Sequence, residues 1–432
     1  MHKGFVLVAV LLLIAGLMFA GGQGETGSKE ESVQITLWNM MEPGPTQVLM
    51  KNLGKEFEEK HPNVQVIIEF NVQADYEPKL ATAIASGTAP DIWAQSYRQV
   101  EQYVNNLDPI DDDDLKAMGY ASMQALEDSW DPGALDHYTY KGKVYGFNWK
   151  LNIFAMAVNR EHFREAGLDA EKDYPKYWDE VISVGKKLVK TEGGRIVRQA
   201  MTFPYNYSAI WYFMELQPVM RSMGGEVMNA DGTECLINSE AGIQAMEHIK
   251  RRFTEGLIDK NISTTMIYLD GFPNGEFSMA ISNHEFPIRW ELANPDKMKG
   301  NVYVIMNPTT PGHDPAIGVS SWGHSVNNKS KHKDWAWRLV DWLTKDSDRY
   351  LIETGGIVPR RGWAETEAAA DIVPQQELFA KMTKYYAVSG LTKDWTTVSE
   401  PIKKAMQEIL YLDKDIRSTL NAVKKEVDNA IK

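Results

Sequence analysis

Val33–Trp38 reads VQITLW, Val64–Phe70 reads VQVIIEF, and Pro90–Tyr97 reads PDIWAQSY. The first two segments are rich in β-branched and apolar residues, the composition of strands. Between them, Pro43–Lys60 carries Val48, Leu49, Leu53 and Phe57 at helical spacing, and His61-Pro62-Asn63 ends that helix. Tyr76–Ser86 is again helical and stops at Gly87, and Pro90-Asp91 leads into a short strand, Ile92–Ala94. A β-α-β-α-β order predicts a parallel sheet with helices on both faces. Ligands bind such sheets at the carboxyl ends of the strands, which here are Trp38-Asn39, Asn71 and Gln95-Ser96-Tyr97.

Outward from this unit the chain continues in the same style. Val144–Asn159 contains two strand-like pieces, and Arg160–Gly167 is a short helix. Tyr177–Val189 and Ala241–Glu255 are amphipathic helices. Phe277–Ser282 and Val302–Met306 read as buried strands, Trp335–Leu343 as a helix, and Pro401–Ile431 as a C-terminal helix with heptad-like spacing. Asp111–Asp114 reads as a helix N-terminus, where acids suit the dipole, because it lacks the glycine and alternation of a calcium loop.

The N-terminus has a different character. His2 and Lys3 precede an uncharged apolar run from Phe5 to Phe19, followed by Ala20, Gly21 and Gly22. This pattern predicts a cleaved export signal over 1–22, with a flexible leader over 23–32. No cysteine stands at the cleavage point, so no lipid anchor is expected; the single cysteine is Cys235. The 432 residues predict about two domains. A formal net charge of −13 argues against nucleic acid and anionic membranes as partners.

From Val33 to the C-terminus the chain resembles the extracellular solute-binding proteins of sugar ABC importers, the group of maltose- and multiple-sugar-binding proteins. The resemblance is carried by ITLWNMMEPG (35–44) with FEEKHPNVQV (57–66), YEPKLATAIASGTAPDIW (76–93), YKGKVYGF (140–147) with AVNREHFREAGLD (157–169), FPNGEFSMAISN (272–283), and GVSSWGHSVNNKSKHKDWAWRLVDWLT (318–344) ending near TGGIVPRR (354–361). The chain departs from the family pattern at Phe147-Asn148, where Pro usually follows the Tyr-Gly step. The resemblance implies a two-lobe periplasmic-binding-protein fold: discontinuous α/β lobes joined by hinge strands and closing on a ligand. By analogy one lobe comprises 33–148 and 308–345, the other 149–307 and 346–432. Hinge candidates are 147–152, 305–308 and the stretch after Leu343. The implied role is capture of a sugar by a periplasmic monomer for delivery to membrane permease subunits, without catalysis or cofactor.

A sugar offers an apolar ring face and a rim of hydroxyls, so its site needs aromatic faces beside planar polar groups. The chain has 13 Trp and 18 Tyr, many at strand ends. Trp38 and Asn39 close the first strand, and Glu42 follows in the loop. Gln95, Ser96 and Tyr97 follow the Pro-Asp-Ile-Trp strand, while Asp91 and Trp93 read as structural. Trp149 and Asn152 lie on the crossing segment. Tyr205, Asn206 and Tyr207 form an aromatic-polar loop. Asn283, His284, Glu285 and Phe286 follow a buried strand. Trp322, flanked by Ser320 and Ser321, reads as a stacking platform. Arg360 and Trp395 complete the candidates, Arg360 equally as a bridge between lobes. Trp178, Trp335, Trp337 and Trp342 read as helix packing.

Other classes leave weaker traces. There is no HExxH, G-x-S-x-G, P-loop or metal-spaced Cys/His cluster. Carboxylates are plentiful enough for a glycoside hydrolase, but no spacing selects a pair. A polyamine or other non-sugar solute would also favour aromatic and acidic groups. A surface adhesin or sensor subunit could use the same fold.

Overall fold

The computed structural model describes residues 32–40, 44–203, 209–229, 231–260, 271–373, 375–382, 385–387 and 395–432. Twelve strands are present among them: β1 (Val33–Met40), β2 (Val64–Asn71), β3 (Ile92–Ser96), β4 (Thr139–Tyr140), β5 (Lys143–Val144), β6 (Phe147–Asn159), β7 (Lys190–Glu192), β8 (Arg195–Met201), β9 (Phe277–Asn283), β10 (Val302–Ile305), β11 (Ile317–Val326) and β12 (Tyr386–Ala387). The opening β-α-β-α-β unit forms as its periodicity predicts. β1 pairs in parallel with β2 and β3, with helices Gly44–Lys60 and Gln73–Ser86 between them. Gly87 ends the second helix in the left-handed conformation, at φ 74°, where a Cβ would be strained. Asp111 caps the helix Asp112–Met118, its carboxylate accepting from the backbone N–H groups of Asp113 and Asp114.

The strands join in the order β2-β1-β3-β11-β6-β9-β8-β7, with β10 on β6 and β12 on β11. The centre of this path is antiparallel: β3, β11, β6 and β9 alternate in direction. β8 and β9 are parallel again, so each end of the path has its own α/β unit.

Each end has its own core. The first gathers Ile35, Leu37, Leu53, Phe57, Trp130 and Trp337. The second gathers Trp178, Tyr212, Phe213, Met246, Met406 and Leu420. β6 belongs to both, giving Phe147 and Trp149 to the first core and Phe154, Met156 and Val158 to the second. A third cluster at the waist joins Leu151 and Ile153 of β6 to Val304, Val319, Ile357 and Trp363. The result is a two-lobe α/β fold with β6 and β11 passing between the lobes.

Three sequence expectations change in detail. Val144–Asn159 is mainly one strand, the 13-residue β6, preceded by the two-residue β5. The C-terminal helix is two helices, Trp395–Tyr411 and Ile416–Ala430. Asp413 turns the chain with φ 54°, and Asp415 caps the second helix through the Ser418 N–H. The stretch after residue 346, expected in the second lobe, divides. Tyr350 and Val358 pack in the first core and Arg349 pairs with Glu56 at 2.8 Å, while the last two helices pack in the second core. The anticipated export signal (1–22) and all but the last residue of the leader lie outside the described residues.

Candidate functional site

At the waist, β6 and β11 run side by side with Asn152 opposite Ser320 and Lys150 opposite Trp322. The two-residue period of strands places these four side chains on one face. Asn152 Nδ2 donates to Ser320 Oγ at 3.2 Å, and Asn283 Nδ2 donates to Asn152 Oδ1 at 3.4 Å. Asn283 comes from the carboxyl end of β9, the position the parallel-sheet rule singles out. Its Oδ1 is buried without a hydrogen-bond partner. Trp322 is partly buried and packs against neighbours from both clusters of the first lobe, beside Ser96 of β3. The face therefore combines an indole, two amides, a hydroxyl and a cation.

Beyond Asn283 the chain turns into the helix Glu285–Ala293. The backbone N–H of His284 donates to Ile153 O at 2.9 Å, tying this turn to β6. Glu285 is buried, with Lys150 Nζ 3.1 Å from Oε1 and Arg289 Nη2 3.1 Å from Oε2. Burial opposes ionisation of this carboxyl, but Lys150 and Arg289 outweigh it and hold its pKa below the ordinary value. Burial pushes the His284 imidazole down to about 4, so it is neutral at pH 7. Phe286 packs 6.0 Å from Trp211, which meets Phe154 edge-on at 5.4 Å.

In the first lobe, the ends of β1, β2 and β3 carry a second group of aromatic and polar side chains. The Lys79 ammonium lies 4.0 Å above the Trp38 ring and 2.5 Å from Asn71 Oδ1. Tyr76 donates its hydroxyl to Ala94 O at 2.6 Å, with Trp38 O at 3.1 Å. Ser96 N–H donates to Gln99 Oε1 at 3.0 Å. Two depressions of about 360 and 390 Å³, sharing Arg361 and Trp363, contain none of these residues.

Several predicted contacts sit elsewhere. Gln95 is fully buried, accepting from Trp93 Nε1 and donating to Ser325 Oγ, both at 2.9 Å. Tyr97 is buried and stacks on His137 at 5.0 Å, and Ser321 Oγ lies 3.1 Å from His137 Nδ1. Both lie next to predicted contacts in sequence, but strand alternation turns Ser321 away from Trp322. Trp149 is turned away likewise, stacked on His324 at 5.5 Å in the first core. Asn39 is buried, with Nδ2 3.1 Å from Met50 Sδ. Arg360 is committed within the first lobe to Asp341 Oδ1 (2.7 Å), Thr344, Tyr120 and Ser129. Glu42, Tyr205, Asn206 and Tyr207 lie outside the described residues. Trp395 begins a helix, but its side chain is outside them too. Asp91 and Trp93 are structural as expected: Asp91 Oδ2 accepts from the Thr36 N–H and hydroxyl, and Trp93 is fully buried.

Lys150 and Arg289 meet Glu285 at this face and are additions to the candidates named from the sequence. For Lys150 a signal existed, because it shares the alternation of Asn152. Arg289 follows Glu285 by one helical turn, a spacing that brings opposite charges together.

The comparisons with known proteins agree with this architecture. A lactose-binding protein of Rhizobium radiobacter is 25% identical over 376 residues, covering 81% of this chain and 78% of that protein. A probable amino-acid ABC transporter periplasmic-binding protein of Sinorhizobium fredii is 25% identical over 395 residues, covering 87% of this chain and 82% of its own length. Among solved structures, a solute-binding protein of Thermotoga lettingae bound with α-D-tagatose aligns with a TM-score of 0.79 at 20% identity, over 93% of this chain and 100% of that one. The family model for bacterial extracellular solute-binding proteins matches residues 43–349, well over half of the chain. The chain belongs to the bacterial extracellular solute-binding protein family.

Proposed function

We propose that the protein is the solute-capturing component of an ABC importer and that its ligand is a mono- or oligosaccharide held between the lobes. The observation that carries this reading is the waist face, where Trp322 pairs with Lys150 and Asn152 links Ser320 to Asn283. An aromatic face next to convergent donors and acceptors matches a sugar ring and its hydroxyls. Relatives named for lactose and for multiple sugars point the same way. Export through the signal over 1–22, a periplasmic location without a lipid anchor, a monomeric state and partnership with permease subunits belong to the same proposal. So does the division into 33–148 with 308–345 and 149–307 with 346–432, the segment around 350–360 being shared. A polyamine fits less well, because Glu285, the acid at this face, is already engaged by Lys150 and Arg289.

The mechanism follows from strands shared by two cores. The lobes open and close about β6 and β11, and a ligand touching both lobes gains contacts only in the closed form. Its differential affinity shifts the population toward closure. The permease would then recognise the closed pair of lobe surfaces. Titration of tryptophan fluorescence and melting temperature with mono- and oligosaccharides, then with polyamines, tests the ligand class. A response to polyamines and to no sugar refutes it, and consumption of a glycoside refutes the non-enzymatic role. Small-angle scattering tests closure: the radius of gyration should fall on saturation.

A further inference from the structure

Asn148 stands where the family pattern has proline, and the structure gives it a specific task. Pairing between β11 and β6 runs regularly from Gly318↔Phe154 to Trp322↔Lys150, then jumps to Gly323↔Asn148. Trp149 is thus an extra residue, and β6 carries a bulge beside the candidate site. Bulges break strand alternation and re-aim the side chains around them. The two faces of β6 meet different surroundings here. Phe147 and Trp149 pack in the first core, while Lys150 and Asn152 lie beside Trp322 and Ser320.

Asn148 supports the bulge directly. Its Oδ1 accepts the Lys150 backbone N–H at 3.1 Å, an Asn-to-i+2 bond of the kind that stabilises turns. The side chain is fully buried, and its Nδ2 has no hydrogen-bond partner. Proline at 148 would have no such acceptor. On the partner strand, the bulge is locked by a slot that only glycine fits. A Cβ on Gly323 would lie 2.3 Å from Tyr138 Cζ and 2.7 Å from the Phe147 carbonyl oxygen. Tyr138 is fixed there by donating to Gln95 O at 3.0 Å.

We propose that Asn148 is a positioning residue for ligand capture: its side-chain oxygen holds the Lys150 N–H at the bulge and so keeps the Lys150–Trp322 pair, the last of the regular ladder, in place on the ligand face. This rests on the reading of the waist face as the ligand site. Asn148 itself does not touch the ligand through the oxygen that holds the bulge.

The test labels the tryptophans with 5-fluorotryptophan and follows the Trp322 ¹⁹F resonance, assigned by its absence in Trp322→Phe. The difference in its shift between H₂O and D₂O reports the exposure of this ring. Asn148→Gln keeps the amide but lengthens its reach, and Asn148→Ala removes the acceptor. Both should move the Trp322 resonance and alter its isotope shift. Asn148→Ser keeps an oxygen able to accept the i+2 N–H and should preserve both. Lactose, maltose and maltotriose affinities measured on the same proteins should fall on the order of tenfold for Gln and stay near wild type for Ser. An unchanged Trp322 resonance and isotope shift in Asn148→Gln overturns the proposal, even if the protein melts earlier. The resonance needs no sugar, so it decides the role of Asn148 even if none of the three sugars binds the wild-type protein. That second result would count against the ligand assignment alone.

Discussion

Replacing Arg360 with Ala should unfold the first lobe more easily while leaving solute capture intact. The guanidinium donates to Asp341 Oδ1 and Thr344 Oγ1 at 2.7 Å, to Thr344 O at 3.0 Å, and to Tyr120 and Ser129 hydroxyls at 3.1 Å. It also lies 3.9 Å over the Trp130 ring. Removing one partner of a buried ion pair costs about 3–5 kcal/mol, because the other charge is left buried. Asp341 keeps Lys345 at 3.1 Å and the Tyr120 hydroxyl at 2.9 Å, which favours the lower end, about 3 kcal/mol. For a lobe of ordinary size that is a fall in melting temperature of roughly 6–12 °C. Arg360→Lys retains the charge but not the planar fork, so it should fall between Ala and wild type. Calorimetry and urea unfolding measure the stability, and sugar titration by tryptophan fluorescence measures capture. A stability loss under about 1 kcal/mol together with collapsed affinity would refute this account and return Arg360 to the ligand.

Three further outcomes are expected. Trp322→Ala should weaken sugar binding about tenfold, the worth of one stacking contact of about 1.4 kcal/mol; unchanged affinity by calorimetric titration removes it from the site. Burial holds the His324 imidazole pKa down to about 3, below its unfolded value near 6.5. The unfolded chain therefore binds the extra proton, and the stability this group contributes above pH 6.5 is lost as pH falls toward 3. His324→Phe should flatten the stability profile between pH 6 and 4 by roughly 1 kcal/mol per pH unit, and an unaltered slope in urea unfolding contradicts this. Cys235 is buried with its thiol pushed up to about 11, so native protein should be inert to a thiol reagent until denatured; rapid native labelling would show that the second core opens.

The first strands and helices were legible because local pattern decided them. VQITLW and VQVIIEF are β-rich segments, and Leu49, Leu53 and Phe57 mark one helical face that the structure buries. Strand-end reasoning also named Trp38, Ser96, Asn283 and Trp322, which the structure places near strand termini or at the waist. What the sequence left ambiguous is direction. Gln95, Trp149 and Ser321 each stand one residue from Ser96, Lys150 or Trp322, and a single step along a strand reverses the face.

By itself, the sequence determined the parallel opening unit, several of the helices and the family, because these depend on periodicity, turn residues and the order of local motifs. Only the tertiary structure decided which side chains meet. Lys150 joins Glu285 across 135 positions of chain, and Asn152 joins Ser320 across 168. Arg360 turns into the first lobe because Asp341, Tyr120 and Ser129 converge there. The bulge at Trp149 likewise exists only in the pairing of β6 with β11. Pairing register, burial and charge compensation are properties of segments brought together, and no local pattern encodes them.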